Sequence, residues 1–424
     1  MTPTWNMGSI IPQHFDYYVH HPPVIAYLVA GSFKIFGIHE WSARIVPIIF
    51  SIMALILFYL IVRLLWGKVV ALLSLVFLGF TPMFLYYGRM VNHEAVFLFF
   101  YFFTVFFYLK YLIKRKKIYL VTIIISFILS YLTAWSAFFL SIALAIHYLI
   151  FAYKITKDKR PIFIFVLMPI LFTLLYSCWI YAIKGSLSEN IKSIISRLGP
   201  NASNQFTWMD FFVLEFNRIK FLFTTVLCIL TFWGIVFLLL QISRKQFFNE
   251  SIIAFFFLLP LMNIFLFREG AWEHDYQLYY FLPFFAIVSA RGMLAIRDYL
   301  HRKTISKVFI LAFIMLFFVQ SYRNFFSIHT FKFDIDREIA IKINLLSKPD
   351  NEIGTTFEVS VPTSWYLDRK YTVIRSLEEF KEINAVKKLS LIVVFPHRGN
   401  RDLVKFLSSA YTYFAFKNFL FFKL

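Results

Sequence analysis

The residues best equipped for chemistry fall in four groups along the chain. The first is His14-Phe15-Asp16-Tyr17-Tyr18-Val19-His20-His21-Pro22-Pro23, followed by Glu40 and Arg44. The second is Arg89-Met90-Val91-Asn92-His93-Glu94, the third the stretch Lys184 to Lys220, and the fourth Arg268-Glu269-Gly270-Ala271-Trp272-Glu273-His274-Asp275-Tyr276. A carboxylate among histidines can take a proton as a general base or hold a divalent metal. Arginines beside it can bind phosphate oxygens and stabilise charge on a departing phosphate. Together these groups are the equipment for transferring a group from a phosphorylated lipid. Interfacial His, Tyr and Trp are also routine membrane anchors. Each residue alone therefore has an ordinary reading, and it is the grouping that points to chemistry.

The elements that must position these groups are membrane helices. Of 424 residues, 60% are hydrophobic, 21% aromatic and 16% charged, where a soluble domain is about half apolar and roughly a quarter charged. The excess apolar surface requires lipid. About ten uncharged apolar stretches approach the roughly 20 residues that a helix needs to cross the hydrocarbon core. They run near Ile45 to Val62, Val69 to Tyr87, Ala95 to Leu109, Ile118 to Ala134, Trp135 to Tyr153, Pro161 to Ile183, Phe221 to Ile242, Ile252 to Phe267, Leu278 to Ala290 and Val308 to Tyr322. The fourth and fifth form one apolar run, broken at Thr133-Ala134-Trp135 into a tight hairpin. The net charge of +20 is read loop by loop, because Lys and Arg are retained in the cytoplasm. Every second connection is basic: Arg63 with Lys68, Lys114 to Lys117, Lys154 to Arg160, Arg244-Lys245, and Arg297 to Lys307. This alternation puts all four chemical groups on the extracytoplasmic side.

Residues 1–40 then form an extracytoplasmic first loop, in which Pro22 to Ile38 reads as an interfacial or re-entrant helix. Residues 41–322 form the transmembrane part. Residues 323–424 change in composition, with an amphipathic pattern around Ile335 to Leu346 and a strand-like run Leu389 to Phe395 ended by Pro396, as in a small soluble α/β domain. The expected fold class is an all-α polytopic membrane protein with a small C-terminal extracytoplasmic α/β domain, in the plasma or inner membrane. Cys178 and Cys228 fall inside spans and read as apolar filler. No GxxxxGKS/T, GxGxxG or HExxH pattern stands in a usable context, so nucleotide hydrolysis, dinucleotide binding and zincin chemistry have no support. The basic balance belongs to the loops, which leaves no case for nucleic acid. Asn201-Ala202-Ser203 is a glycosylation sequon that short sequences produce by chance. The competing class is a transporter or lipid flippase, which would carry midplane polar residues on broken helices. Pro82, Pro169, Pro260, Asn263 and His147 are the residues that could serve it.

His20-His21-Pro22-Pro23-Val24 and Phe36-Gly37-Ile38-His39-Glu40-Trp41-Ser42-Ala43-Arg44-Ile45-Val46-Pro47 resemble the stretch HPPL … FGxxExxxRLPS of the GT-C superfamily of membrane glycosyltransferases, of the protein O-mannosyltransferase and lipid A aminoarabinose transferase type. The likeness continues through Pro82-Met83-Phe84-Leu85-Tyr86-Tyr87-Gly88-Arg89 and through His274-Asp275-Tyr276 with Tyr279-Tyr280 before Pro283. The resemblance implies transfer of a hexosyl or pentosyl group from a polyprenyl-phosphate donor to a protein, glycolipid or cell-envelope polymer, by inverting displacement with a carboxylate base. It implies Asp16 and Glu94 as catalytic carboxylates. His20, His21 and His93 would orient the acceptor or hold a divalent metal, the one cofactor in view. Arg89, Arg268 and His274 would bind the donor phosphate, and Asp275 and Tyr276 the sugar. Family members place a further span and an acidic motif ahead of the His-Pro-Pro stretch, and this chain begins too late for either. A truncated, inactive homologue is therefore the alternative within the family.

Overall fold

In a computed structural model, the structure describes residues 4–5, 16–17, 21–188, 191–192, 195, 206–241, 247–300, 303–329, 333–348, 351–356, 367, 371–387, 389–395 and 401–424. By its contacts the chain divides into two compact units, Val19–His329 with Met1, and Thr2–Tyr18 with Thr330–Leu424.

The first unit is helical. It opens with α1 (Val24–Phe36), short and apolar, as the reading of Pro22 to Ile38 anticipated. Gly37, at φ 82°, turns the chain into α2 (Glu40–Gly79). Ser42 secures that turn, its hydroxyl bonding the Gly37 and His39 carbonyls and accepting from the His39 amide. Two of the expected spans lie end to end in α2, which breaks at Gly67 (φ 84°, ψ 177°), a backbone conformation that only glycine adopts without penalty. Thr81 and Pro82 restart the chain as α3 (Pro82–Tyr87). The next helices are α4 (His93–Lys114) and α5 (Lys117–Tyr131). The turn at Thr133 follows and leads into α6 (Ala137–His147), as expected from the sequence. A π-helical turn (Tyr148–Ala152) then leads to α7 (Tyr153–Thr156), and α8 runs Arg160–Lys184.

The later helices depart more from expectation. Part of the stretch Lys184 to Lys220 is helical: α9 (Trp208–Leu222) starts at a capping box made by Thr207 and Asp210. Thr224 (φ 71°) then turns the chain by 107° into α10 (Thr225–Gln241), so the expected span Phe221 to Ile242 begins inside a bend. After α11 (Phe247–Leu266) come the short α12 (Arg268–Glu273), a 3₁₀ turn (Asp275–Phe281), α13 (Leu282–Tyr299) and α14 (Lys303–His329).

Among the described residues, seven helices are long and apolar enough to cross a membrane, or eight if the bent pair α9 and α10 is one span. The expectation of about ten is not met by that measure. The physical reasons are the continuity of α2 and the brevity of α5, since each expected apolar stretch does fall on a helix.

The helices pack through aromatic side chains and small residues. Phe97 and Tyr101 of α4, Phe255 and Phe256 of α11 and Tyr280 form a buried aromatic centre. α10 and α13 cross closely at Gly234 and Gly292, and the Thr231 and Ser289 hydroxyls bond at 2.8 Å beside the crossing. Small residues that let backbones approach are the usual means of helix association in lipid.

The second unit contains a five-stranded sheet. Its strands are β3 (Ile353–Thr355), β4 (Tyr371–Val373), β5 (Leu391–Val394), β6 (Thr412–Phe416) and β7 (Phe419–Lys423), in the order β4-β3-β5-β7-β6. β4, β3 and β5 run parallel, and the β6–β7 hairpin closes one edge antiparallel. Alternation along β5 sends Leu391 and Val393 to one core with Ile339 and Ile343, and Ile392 and Val394 to another with Leu403 and Leu407. The strand expected at Leu389 to Phe395 and the helix expected at Ile335 to Leu346 are both present. The same unit holds a two-stranded pairing of β1 (Thr4–Trp5) with β2 (Asp16–Tyr17).

Candidate functional site

A cavity of about 430 Å³ opens in the helical unit where α4, α6, α8, α11 and the 3₁₀ turn converge. Its polar lining includes His21, His93, Glu94, Ser136, Asn263 and Gln277, and its more numerous apolar lining includes Trp135, Phe138, Phe139, Ile180 and Phe267.

The start of α4 sets part of the polar lining. Asn92 is its N-cap, the side chain accepting the His93 amide, so His93 and Glu94 occupy the first helical turn. A carboxylate there is favoured by the positive end of the helix dipole. Glu94 is 1% exposed, yet neither carboxylate oxygen has a hydrogen-bond donor among the described residues. His93 Nε2 lies 3.1 Å from Glu94 Oε1 but is poorly aligned for a hydrogen bond. His21 stacks on the His93 ring at 4.6 Å, and Tyr276 meets it edge-on at 6.2 Å. A buried carboxylate without donors is costly unless a ligand, water or proton completes it, and this one lines a cavity large enough to admit such a group.

A short relay of polar groups also lines the cavity. Ser136 Oγ donates to Asn263 Oδ1 (3.3 Å), and Asn263 Nδ2 donates to Gln277 Oε1 (3.3 Å). That polarity leaves the Gln277 amide NH₂ as a donor in a cavity that also holds a carboxyl group, a combination suited to hydroxyl groups. A Cβ at Gly270 would lie 2.7 Å from Gln277 Nε2, so the small residue at 270 lets the amide hold its place.

The residues singled out from sequence separate into two sets. Glu94, His93, His21 and Tyr276 line the cavity together. Asp275 does not line it and accepts a hydrogen bond from the Tyr87 hydroxyl. Arg89 packs its guanidinium over the Phe325 ring at 5.1 Å, and burial together with repulsion from Arg44 lowers its pKa. Arg268 sits over Phe206 and Trp208 at 4.8 and 4.4 Å, and His274 stacks on Tyr276 at 5.0 Å, half-exposed. Asp16 falls in the second unit, in β2, and His20 lies outside the described residues. Among the described residues, no group of three or more His, Cys, Asp or Glu side chains is placed to hold a metal ion. His93 and Glu94 offer two adjoining donors.

Sequence reasoning missed Ser136, Gln277 and Arg218, gave Tyr280 only as part of a motif without a role, and read Asn263 only as an isolated polar group. A polar residue inside an apolar helix was the available signal for Asn263. Arg218 donates to the Ala271 carbonyl at 2.6 Å and the Trp272 carbonyl at 2.9 Å, and pairs with Glu215. It thereby satisfies the C-terminal carbonyls of α12 and fixes the segment that carries Tyr276 and Gln277.

A family model described as dolichyl-phosphate-mannose-protein mannosyltransferase matches residues 20–181. No curated protein matches the chain. Among solved structures the chain is similar to ArnT from Cupriavidus metallidurans bound to undecaprenyl phosphate, with TM-score 0.62 and 11% identity over 98% of this chain and 90% of that one. It is also similar to the archaeal oligosaccharyltransferase AglB from Archaeoglobus fulgidus in complex with an inhibitory peptide and a dolichol-phosphate, with TM-score 0.54 and 14% identity over 96% of this chain and 66% of that one. The Archaeoglobus fulgidus oligosaccharyltransferase in its apo form gives TM-score 0.58 and 13% identity over 90% of this chain and 62% of that one. At these identities the likeness is one of fold.

Proposed function

We propose that this chain, whose fold is that of the GT-C superfamily of membrane glycosyltransferases, transfers a sugar from a polyprenyl-phosphate donor to an acceptor hydroxyl at the extracytoplasmic face of the membrane. The observation that carries the reading is Glu94: a buried carboxylate that makes no hydrogen bond among the described residues, with His93 Nε2 at 3.1 Å, lining a cavity that is largely apolar. The family match and the lipid ligands of the similar structures, undecaprenyl phosphate and dolichol-phosphate, support it.

The reaction is a single inverting displacement. The acceptor oxygen attacks the anomeric carbon, the bond from that carbon to the phosphate oxygen breaks, and polyprenyl phosphate leaves with the bonding pair. Glu94 takes the acceptor hydroxyl proton. His93 and His21 orient the acceptor. Of the two carboxylates assigned catalytic roles, Glu94 is the one whose side-chain surroundings the structure describes. Arg89, Arg268 and His274 bind the donor phosphate, while Asp275, held by Tyr87, and Tyr276 position the sugar. The aromatic support under both arginines limits the side-chain entropy lost when they bind an anion.

Two variants test these assignments. Arg268→Ala should weaken binding of a polyprenyl-phosphate sugar by about 10-fold or more, the ordinary value of a charge-assisted contact; unchanged affinity in a direct binding assay removes Arg268 from the phosphate site. Gly270→Ala should displace the flexible end of Gln277 without disturbing the backbone, raising KM a few-fold at constant melting temperature. A KM equal to wild type would remove Gln277 from the substrate wall. The whole reading is tested by titrating the purified chain with a radiolabelled polyprenyl-phosphate sugar. Saturable binding that sugar-free polyprenyl phosphate displaces supports it, and no binding overturns it.

A further inference from the structure

Far from the cavity, the other end of α4 carries a concentration of cations that the transfer site does not use. Glu94 and Lys114 stand at opposite ends of this helix, about 30 Å apart at 1.5 Å per residue. The turn from α4 to α5 reads Lys114-Arg115-Lys116-Lys117, and the segment from α7 into α8 holds Lys154, Lys157, Lys159 and Arg160; all eight are exposed.

The two turns are joined through one acid. Asp158 accepts from the Tyr111 hydroxyl at the end of α4 and from Arg160 Nε at 2.9 and 3.0 Å, and its carbonyl accepts from Tyr148 at 2.7 Å. Hydrogen bonding to Arg160 holds the Asp158 carboxyl below its ordinary range. Among the described residues, Arg160 alone of the eight cations has a carboxylate partner. Both helices preceding these turns also end unusually. Arg115 and Lys157 each stand in the left-handed region at φ 55°, where glycine or asparagine ordinarily ends a helix without penalty. Each holds a long cation against the negative end of its helix. Beside the cations, Ile113, Ile118, Ile155 and Phe163 expose apolar side chains.

Retention of basic loops on one side of a membrane calls for the charge. It does not call for two turns locked together by a shared aspartate, or for cations placed at strained helix ends beside an apolar skirt. We propose that this collar is a binding site for an anionic phospholipid, its phosphodiester among the cations of both turns and its acyl chains along Ile113, Ile118 and Phe163. Basic pockets of this kind between membrane helices suit such headgroups. The site is independent of the transfer reaction and does not rest on it.

The test uses the full chain purified in a neutral detergent, with the melting temperature followed as phosphatidylglycerol, cardiolipin or phosphatidylcholine is added. The two anionic lipids should stabilise in a saturable way, as ligands of the native state do, and phosphatidylcholine should not. A Lys116→Gln, Lys117→Gln, Lys157→Gln, Lys159→Gln variant should need at least tenfold more anionic lipid for half the effect while melting as wild type in phosphatidylcholine. Equal stabilisation by phosphatidylcholine would overturn the proposal. So would the full effect from inorganic phosphate, or an unaltered response in the variant. If the variant fails to insert, native mass spectrometry of wild type decides: enrichment of anionic lipid over its membrane share supports the site, and lipids retained in membrane proportion overturn it.

Discussion

Glu94→Gln is expected to lower sugar transfer by about 10²- to 10⁴-fold while donor affinity stays within a factor of two. The substitution keeps the volume and one acceptor oxygen, so the cavity and the first turn of α4 persist. What it removes is the ability to accept a proton in the transition state. Glu94 makes no hydrogen bond among the described residues, and its close polar neighbour His93 Nε2, at 3.1 Å, can face an amide oxygen as well. An amide of nearly the same shape in its place should therefore leave the melting temperature near wild type. Equal loss of donor binding and turnover would instead make Glu94 part of the donor pocket. Unaltered turnover would move the base elsewhere, with Asp16 the next carboxylate to replace.

Gly292→Leu should prevent accumulation of the folded protein. A Cβ at 292 would stand 2.4 Å from the Leu230 carbonyl oxygen and 2.7 Å from the Gly234 nitrogen, and a Cβ at 234 would stand 2.1 Å from the Val288 carbonyl oxygen. These are backbone atoms of the opposing helix, which cannot rotate away as a side-chain tip can. Overpacking against flexible neighbours typically costs about 1–3 kcal/mol, and a clash with backbone on both sides of a crossing belongs above that range. Separation of α10 from α13 would also break the Thr231–Ser289 hydrogen bond and the Ser289 bond to the Leu227 carbonyl. Size-exclusion profiles and thermal melting of the variant give the result. A monodisperse protein melting within a few degrees of wild type would show that the crossing can open without loss.

Apolar run length carried much of the fold. Each of the expected apolar stretches falls largely on helix, though Val69 to Tyr87 crosses the break before α3 and Phe221 to Ile242 begins in a bend; the break at Thr133 was legible because an apolar run too long for one span has to turn. The breaks that were not legible depend on backbone angles at single residues: Gly67 within a continuous helix, and Thr224, whose left-handed φ folds α9 against the direction of α10. Nothing in hydropathy marks a threonine for that conformation.

The site divided in the same way. His93 and Glu94 stood out because charge and imidazole at the start of an apolar helix need a reason, and His21 and Tyr276 because they lie among other ionisable groups. Asn263, Gln277 and Ser136 come from three separate elements whose rotation about their own axes decides whether they meet, and one sequence does not state that rotation. Arg268 was legible as a cation near the membrane face, but its seat between Phe206 and Trp208 depends on where the stretch after α8 returns.

The central claim is tested most directly by incubating the purified chain in nanodiscs with polyprenyl-phosphate sugars labelled in both sugar and lipid, together with a membrane extract as the acceptor source. The account predicts that one donor loses its sugar to a macromolecular or lipid product while unsubstituted polyprenyl phosphate appears in equal amount, with the anomeric configuration inverted. Binding of every donor without release of polyprenyl phosphate would contradict it.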